Sequence, residues 1–333
     1  MRLILAFFVL VSVSTPAVAC ISALEPSLDW MIKGSTLIVR GQVLREIGTS
    51  TENLDRVKQH RSEVLIERVY VGGPPAVIRV NWKEYSLCPR AFLKKDDYAL
   101  FFLRASGSEF VLVDEEFGKL AVSHWQDASQ SPDPFVAIER DLKLAIQNDS
   151  GRQRIDDVLL LGSLRRPMDT SDLRALLPSN DEVMESAVHL ALLKLHDYTK
   201  LEAAGRLVET IPEKNIFMFP KDEAVYLRTH IGTRIGLLIS GIQERSQLPV
   251  LQRFSLSSNY WLRQRAAYAL RHLHDPSNVP YLIKLLDDPW EETRIQGMRG
   301  LQELLGFGWV TDPEGVDRWR AWWKAEGKSR YGK

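Results

Sequence analysis

The chain has 333 residues, of which 43 are basic and 43 are acidic, so its formal net charge is zero. This balance argues against nucleic acid or an anionic membrane surface as the binding partner. With 45% hydrophobic residues, the composition is that of a folded globular protein. The length favours two domains over one.

The first nineteen residues have the three-part pattern of a secretory signal peptide. Arg2 precedes an apolar run over 3–13, and the Ala-Val-Ala triplet at 17–19 provides a cleavage site. The apolar run is too short to span a membrane. We therefore expect residues 1–19 to be removed and the protein to be exported, either periplasmic or secreted, without a transmembrane segment. The mature chain would begin at Cys20.

Cys20 and Cys88 are the two cysteines of the chain. Two cysteines in an exported protein most economically form one disulfide, which an oxidising compartment permits. Such a bridge would stabilise the fold by about 4 kcal/mol in the chain-entropy account. The alternative is a lipid on Cys20, because residues 17–20 loosely resemble a lipoprotein cleavage box, although Ala17 stands where such boxes favour Leu. We predict the Cys20–Cys88 disulfide and keep the lipid anchor as the alternative.

A β-rich region follows a short helix that the spacing of apolar residues predicts over 26–33. Its strand candidates are rich in β-branched and aromatic residues, and a Gly-Gly-Pro-Pro turn at 72–75 separates two of them. The candidates lie at 37–44, 63–70, 76–80, 98–103 and 110–113. Five strands without crossover helices predict a small antiparallel barrel or sandwich.

This region resembles the netrin-like or TIMP-like domain. The resemblance rests on Cys20 followed by a short helix, the stretch S-T-L-I-V-R-G-Q-V at 35–43, the strand end R-V-Y-V-G at 68–72, and Cys88 upstream of D-Y-A-L-F at 97–101. It implies an OB-fold-like β-barrel over 20–125, with the N-terminal cysteine tied into the barrel by a disulfide.

The same resemblance implies a possible activity for the mature N-terminus. In TIMP-like inhibitors the amine and carbonyl of the first cysteine chelate the catalytic zinc of a metalloprotease, and Cys20 is the matching position. Animal members open with Cys-x-Cys, whereas this chain has Ser22 in place of the second cysteine. Because fold-level resemblance does not carry function, we keep metalloprotease inhibition as an alternative.

The hydrophobic period changes from two to about 3.6 after the Ser-Pro-Asp-Pro stretch at 131–134. Apolar positions at 135–146 and 155–160 predict two helices, which we place in a segment of linker and connecting helices over 126–170. The region 171–325 is then expected to be helical throughout.

A repeat defines the architecture of that last region. The sequence RQRAAYAL at 263–270 aligns with RIQGMRGL at 294–301, an offset of 31 residues. Arg234 also falls 31 residues before Arg265, although Gly232 replaces the repeat arginine in that copy. One complete unit consists of a helix over 279–288, stopped by Pro289, and a second helix over 291–305, closed by Gly306.

Paired helices with a period of about 30 to 45 residues are typical of α-solenoids. This part resembles HEAT-like repeats, most closely their short bacterial form. We therefore predict an α+β multidomain chain, in which a small OB-fold-like β-barrel is followed by an α-helical HEAT-like solenoid over 171–325 with a C-terminal cap.

Candidate chemical groups in the solenoid have structural interpretations. His272 and His274 are two residues apart, so on a helix they point away from each other and make a poor metal site. The repeat arginines Arg263 and Arg294 are expected to pair with a neighbouring acid or with loop carbonyls. The C-terminal tryptophans share one helix face, and we expect them to cap the last repeat and not to bind a ligand; they are Trp319, Trp322 and Trp323.

The sequence contains no His-Glu-x-x-His, Gly-x-Ser-x-Gly, Walker or Rossmann motif. We therefore predict no catalytic, cofactor-binding or metal-binding residue. The best functional hypothesis is an exported, non-enzymatic module that binds another protein or serves as a scaffold, with no nucleic-acid partner. The alternatives are a metalloprotease inhibitor acting through Cys20 and an unrecognised extracytoplasmic enzyme.

Overall fold

A computed structural model describes residues 28–51, 57–85, 92–114, 117–128, 131–212, 215–216, 220–308 and 313–332. The chain divides into two compact units, Met1–Ala121 and Val122–Lys333. The predicted α+β architecture, a small β-barrel followed by helices, is confirmed. The predicted signal peptide, Cys20, Ser22 and Cys88 lie outside the described residues.

The first unit contains one short helix and six strands within its described residues. They are α1 (Leu28–Gly34), β1 (Leu37–Thr51), β2 (Val57–Val71), β3 (Val77–Tyr85), β4 (Tyr98–Ser106), β5 (Glu109–Leu112) and β6 (Lys119–Ala121). The helix and the five strands predicted from the sequence are all present. Strands β1 and β2 are each fifteen residues long, which is considerably longer than predicted.

Five of the strands form a closed ring. The order is β1-β2-β3-β5-β4, and β4 pairs back with β1, with Leu37 opposite Leu103 and Gln42 opposite Tyr98. All pairings are antiparallel except the one between β3 and β5. Strand β6 adds to the outside of β4. The ring is therefore a barrel and not an open sandwich.

Alternate strand residues fill the barrel interior, as the twofold period of a strand requires. The largest inward side chains include Phe101 and Leu103 on β4 and Trp82 on β3, which are at most 5% exposed. Closure brings β1 and β2 very close together at Gly41, where an added Cβ would lie 2.1 Å from the Leu65 carbonyl oxygen. Only glycine fits this approach without moving the backbone.

The second unit is helical. Its described helices are α2 (Pro134–Asn148), α3 (Gly151–Gly162), α4 (Ser171–Arg174), α5 (Glu182–Lys194), α6 (Leu201–Glu209), α7 (Glu223–Ser240), α8 (Leu248–Phe254), α9 (Tyr260–His272), α10 (Val279–Lys284), α11 (Glu291–Leu305), α12 (Pro313–Trp322) and α13 (Lys328–Tyr331). Helices α2 and α3, which the sequence placed in a connecting segment, lie in this unit. In the described part of the chain, no helix has both the length and the apolar character needed to cross a bilayer.

The helices stack in consecutive pairs. Within a pair, α2 packs against α3, α4 against α5, α6 against α7, α8 against α9 and α10 against α11. The second helices of the pairs then pack in chain order, α3 on α5, α5 on α7, α7 on α9 and α9 on α11. Because each pair contacts mainly its neighbours, this is the helical array that the 31-residue repeat predicts.

Local sequence signals set the helix ends. Asp133, Asp181, Asp222 and Asn259 cap α2, α5, α7 and α9 through side-chain oxygens that accept backbone N–H bonds. The predicted bounds of α11 are confirmed, since the helix runs from Glu291 to Leu305 and ends at Gly306 in the left-handed region.

A second internal repeat marks two of the turns between helices. Leu-His-Asp follows α5 at 195–197 and α9 at 273–275. In both copies the histidine has a positive φ, 59° at His196 and 47° at His274. The following aspartate accepts a hydrogen bond from the backbone N–H two residues later. His274 is thus part of a helix-ending turn.

Candidate functional site

The repeat arginines are structural, as predicted. Arg263 donates to the carbonyls of Ser257 and Ser258 at 2.8 and 2.7 Å, and Arg294 donates to those of Asp288 and Pro289 at 2.8 and 3.0 Å. In both repeats these carbonyls lie six and five residues before the arginine. Each arginine therefore closes the turn that precedes its own helix, and this accounts for the 31-residue register.

The C-terminal tryptophans form a cap. Trp319 is fully buried and Trp322 is 8% exposed. Their rings contact each other with centroids 5.6 Å apart, and Phe307 lies 5.6 Å from Trp319 and 5.8 Å from Trp322. An aromatic face open to a sugar or another ligand is absent from these two residues, because their rings are packed inside the unit.

The histidine pair lies at the end of α9 and in the turn that follows it. His272 and His274 are both exposed, and His272 lies beside Tyr268 with ring centroids 5.3 Å apart. In the part of the chain that the structure describes, no group of three or more His, Cys, Asp or Glu side chains is arranged to hold a metal ion. The zinc-chelating hypothesis concerns Cys20, which lies outside that part.

A partly buried polar network that the sequence analysis missed lies on the barrel. The His60 ring stacks on Trp82 with centroids 4.1 Å apart. Its Nδ1 lies 2.8 Å from Glu46 Oε1 and its Nε2 lies 3.0 Å from Glu84 Oε2. The hydrogen bonds from Thr49 and His60 lower the pKa of Glu46. Since the two carboxylates lie at the two nitrogens of the ring, this network joins β1, β2 and β3.

One groove of the helical unit is lined by side chains that hydrogen-bond to one another. A groove of about 610 Å³ contains His196, Asp197 and Tyr198. The Asp197 carboxylate accepts from the Thr170 hydroxyl and from the backbone N–H of Thr199, and His196 Nδ1 lies 3.0 Å from the Tyr198 oxygen. These contacts hold the turn after α5, and the groove contains no nucleophile paired with a free base among its described residues.

A different arrangement occurs on α9. Four side chains recur at spacings of four, three and four residues, which places them on one face of the helix. We call this set the α9 face; it consists of Trp261, Arg265, Tyr268 and His272. The first three are half-buried and His272 is exposed.

Contacts with α7 fix the first of these side chains. Trp261 Nε1 donates to the carbonyl of Thr233 at 3.3 Å. The ring lies against Gly236, where an added Cβ would be 2.3 Å from Trp261 Nε1. The Arg265 guanidinium then lies over the Trp261 ring, 3.8 Å from its centroid, which is a favourable cation–π geometry. The α9 face is therefore an ordered surface that borders α7.

Arg265 differs from the other arginines of α9. Arg263 is held by Asp288 and by turn carbonyls, and Arg271 by Glu303 and Gln296. Arg265 makes no hydrogen bond or ion pair with any described residue, and its Nε is buried without an acceptor. Burial lowers the pKa of Arg265, but an arginine stays charged in proteins. The α9 face thus presents a positive charge with unused donors.

The sequence contains a signal for this face that neither the repeat register of Arg234 and Arg265 nor the spacing of His272 and His274 reveals. The spacing of an aromatic, a cation and a second aromatic along one helical face would have identified the surface. No family model matches this chain, and no curated protein matches it significantly.

Proposed function

We propose that this chain is an exported, non-enzymatic module whose helical unit binds another protein through the α9 face. The observation that carries this proposal is the line of Trp261, Arg265 and Tyr268, half-buried side chains of which the arginine lacks a partner among the described residues. Tryptophan, tyrosine and arginine are the residues most enriched at the energetic centres of protein interfaces.

The architecture supports the same function. Stacked helix pairs present a continuous surface that extends over several repeats, and solenoids use such surfaces for binding. The buried Trp319 and the turn-closing Arg263 and Arg294 stabilise the array, so they are unsuited to bind a partner. On the α9 face, by contrast, the Arg265 guanidinium has no hydrogen-bond or ion-pair partner among the described residues.

The family assignments and the location belong to this proposal as well. We propose that the barrel is a netrin-like OB-fold and that the helical unit is a HEAT-like solenoid. In this account the signal peptide is cleaved after Ala19, and Cys20 pairs with Cys88. The intact mass of the exported protein tests this directly. A lipid adduct on Cys20, or two thiols that alkylate without reduction, would contradict the disulfide.

Site-specific photocrosslinking tests the binding function. A benzophenone amino acid replaces Tyr268 in the full chain, expressed in its own organism. The control carries the same group at Arg318, an exposed position on α12 whose side chain pairs only locally with Glu314. We expect a discrete covalent protein adduct from position 268 and none from position 318. If position 268 gives no adduct, or both positions give the same adduct, the proposed surface is wrong.

A further inference from the structure

We infer that the α9 face recognises a carboxylate side chain within an acidic segment of its protein partner, and that Arg265 makes the contact. This inference rests on the proposed function and adds the chemical class of the partner. It follows from the geometry around Arg265, from the charges of neighbouring side chains and from the apolar surface on either side.

The Arg265 guanidinium is positioned before any ligand arrives. Its Cζ atom lies over the Trp261 indole, 3.8 Å from the ring centroid. The indole is itself fixed by Thr233 and Gly236 of α7. Because the side chain is ordered in advance, little conformational entropy remains to be lost when a ligand binds.

The acidic groups nearby do not neutralise this charge. The groups that interact electrostatically with Arg265 are the hydroxyls of Tyr260 and Tyr268. On the neighbouring helix α11, Glu303 is engaged by Arg271, whose Nε lies 2.7 Å from its Oε1. One repeat earlier, the corresponding residue is Arg234 and not an acid. The α9 face therefore favours a negatively charged ligand.

The chemistry of a guanidinium specifies the ligand further. Its planar donors match a carboxylate in a bidentate manner, and such charge-assisted bonds are stronger than neutral ones. The Trp261 ring lies against the guanidinium, and Tyr268 follows three residues later on the same helix face. Both rings provide apolar area for the methylene groups of a peptide. One arginine that has no partner among the described residues suits one carboxylate in a peptide, whereas a polyphosphate backbone needs a row of cations.

Selection from a display library of random twelve-residue peptides provides the test, with the full chain as bait. Counter-selection uses the full chain carrying Arg265→Glu. We expect the enriched peptides to share an Asp or Glu at one position. Fluorescence anisotropy then measures the dissociation constant of one enriched peptide and of its Asn or Gln version.

A double-mutant cycle separates a direct contact from a structural effect. We expect Arg265→Gln to weaken binding of the acidic peptide by about 10- to 100-fold, the range for a charged hydrogen bond. The neutral peptide should bind Arg265→Gln and the unchanged chain almost equally. Arg265→Lys should retain part of the affinity, since it keeps the charge but not the fork. Arg318→Gln is the matched control and should leave binding unchanged.

Other outcomes distinguish the inference from the proposed function. Enriched peptides without acidic residues, whose binding is abolished by Tyr268→Ala, would overturn the carboxylate inference and leave the proposed surface standing. Peptides whose binding is unchanged by substitution of Arg265 and of Tyr268 would place the binding site elsewhere. That result would overturn both the carboxylate inference and the proposed surface. Failure to enrich any peptide, or tighter binding of single-stranded DNA than of acidic peptide, would also overturn the inference. Circular dichroism and thermal unfolding of each variant identify any loss of folding.

Discussion

At the scale of single residues, two buried ionisable groups of the helical unit have pKa values that are shifted in opposite directions. Burial, with the neighbouring Asp149, raises the pKa of Asp157 from 3.8 to about 8, and its Oδ1 accepts from Trp125 Nε1 at 3.0 Å. Burial, with the charges of Lys200 and Arg206, lowers the pKa of His189 from 6.5 to about 4. Both groups are therefore favoured in their neutral forms by folding.

These shifts have opposite effects on stability. Asp157 binds its proton more tightly in the folded state, so its contribution is complete below pH 3.8 and is lost as pH rises toward 8. His189 binds its proton less tightly in the folded state, so its contribution is complete above pH 6.5 and is lost as pH falls toward 4. Each group changes the free energy of unfolding by about 1.4 kcal/mol per pH unit within its window.

We therefore predict that the two effects cancel between about pH 4 and 6.5 and that stability falls above pH 6.5. Asp157→Asn keeps an oxygen for Trp125 and cannot ionise. The free energy of unfolding of this variant should be constant above pH 6.5. Below pH 6.5 it should fall, because the loss of the His189 contribution is no longer offset by Asp157. Urea unfolding of the full chain from pH 4.5 to 8.5, followed by helical circular dichroism, measures this. Asp156→Asn, at an exposed ion pair with Arg152, is the control; parallel curves for Asp157→Asn and the unchanged chain would contradict the prediction.

The two repeat arginines should differ in their contribution to stability. The Arg263–Asp288 pair is largely buried, with side chains 14% and 4% exposed and an Nε to Oδ2 distance of 2.6 Å. Removing one member leaves a buried charge without its partner, which costs about 3–5 kcal/mol. Among the described residues, the hydrogen-bond partners of Arg294 are backbone carbonyls. Its removal therefore does not leave a buried carboxylate without a counter-charge.

We expect Arg263→Met to lower the free energy of unfolding by about 3–5 kcal/mol. Arg294→Met should cost about half as much, and Asp288→Asn in the Arg263→Met background should recover part of the loss. Chemical denaturation of the four chains measures these differences. Equal costs for the two arginine variants would show that Asp288 is not a significant partner.

At the scale of elements, helix packing distances depend on residue size at equivalent repeat positions. Ala266 and Ala269 on α9 correspond to Gly297 and Gly300 on α11. An added Cβ at Gly297 would lie 2.9 Å from the Leu282 carbonyl oxygen, which is backbone of α10. At Gly300 the nearest atoms are the methyl groups of Leu282, at 2.9 and 3.0 Å. Helix α11 therefore packs more closely on its partner than a Cβ allows.

We predict that Gly297→Ala destabilises the helical unit by about 1–3 kcal/mol, although alanine is the better helix former. Gly300→Ala is the matched comparison and should cost less, because the end of a leucine side chain can rotate away. Thermal unfolding measures both. A stabilised Gly297→Ala variant would mean that α10 and α11 are further apart than described.

The length of the elements shows where sequence patterns were insufficient. The alternation of apolar residues predicted β1 to 44 and β2 from 63, yet the strands continue to Thr51 and begin at Val57. The additional residues are mostly polar, and cross-strand pairs hold them, such as Arg45 with Glu63 at 2.8 Å and the His60 network. Such pairs stabilise a strand without producing a hydrophobic pattern. Periodicity alone therefore did not predict the additional length of β1 and β2.

At the scale of the whole molecule, the division between Ala121 and Val122 separates two units that each have their own core. We predict that a fragment of residues 122–333 folds and keeps the helical circular dichroism expected from its share of the chain. Limited proteolysis of the full chain should cut first between residues 122 and 134. A fragment without helical signal would show that the barrel is required for the helical unit to fold.

The sequence by itself determined the order of a β region and a helical region, and the repeat register, because hydrophobic periodicity and turn residues are local. It also determined the ends of α11, where Pro289 and Gly306 restrict the backbone in any context. Only the tertiary structure decided that the strands close into a ring and that Arg265 has no hydrogen-bond or ion-pair partner among the described residues. Each of these depends on which distant residues meet, and partners separated by many residues are not specified by local patterns.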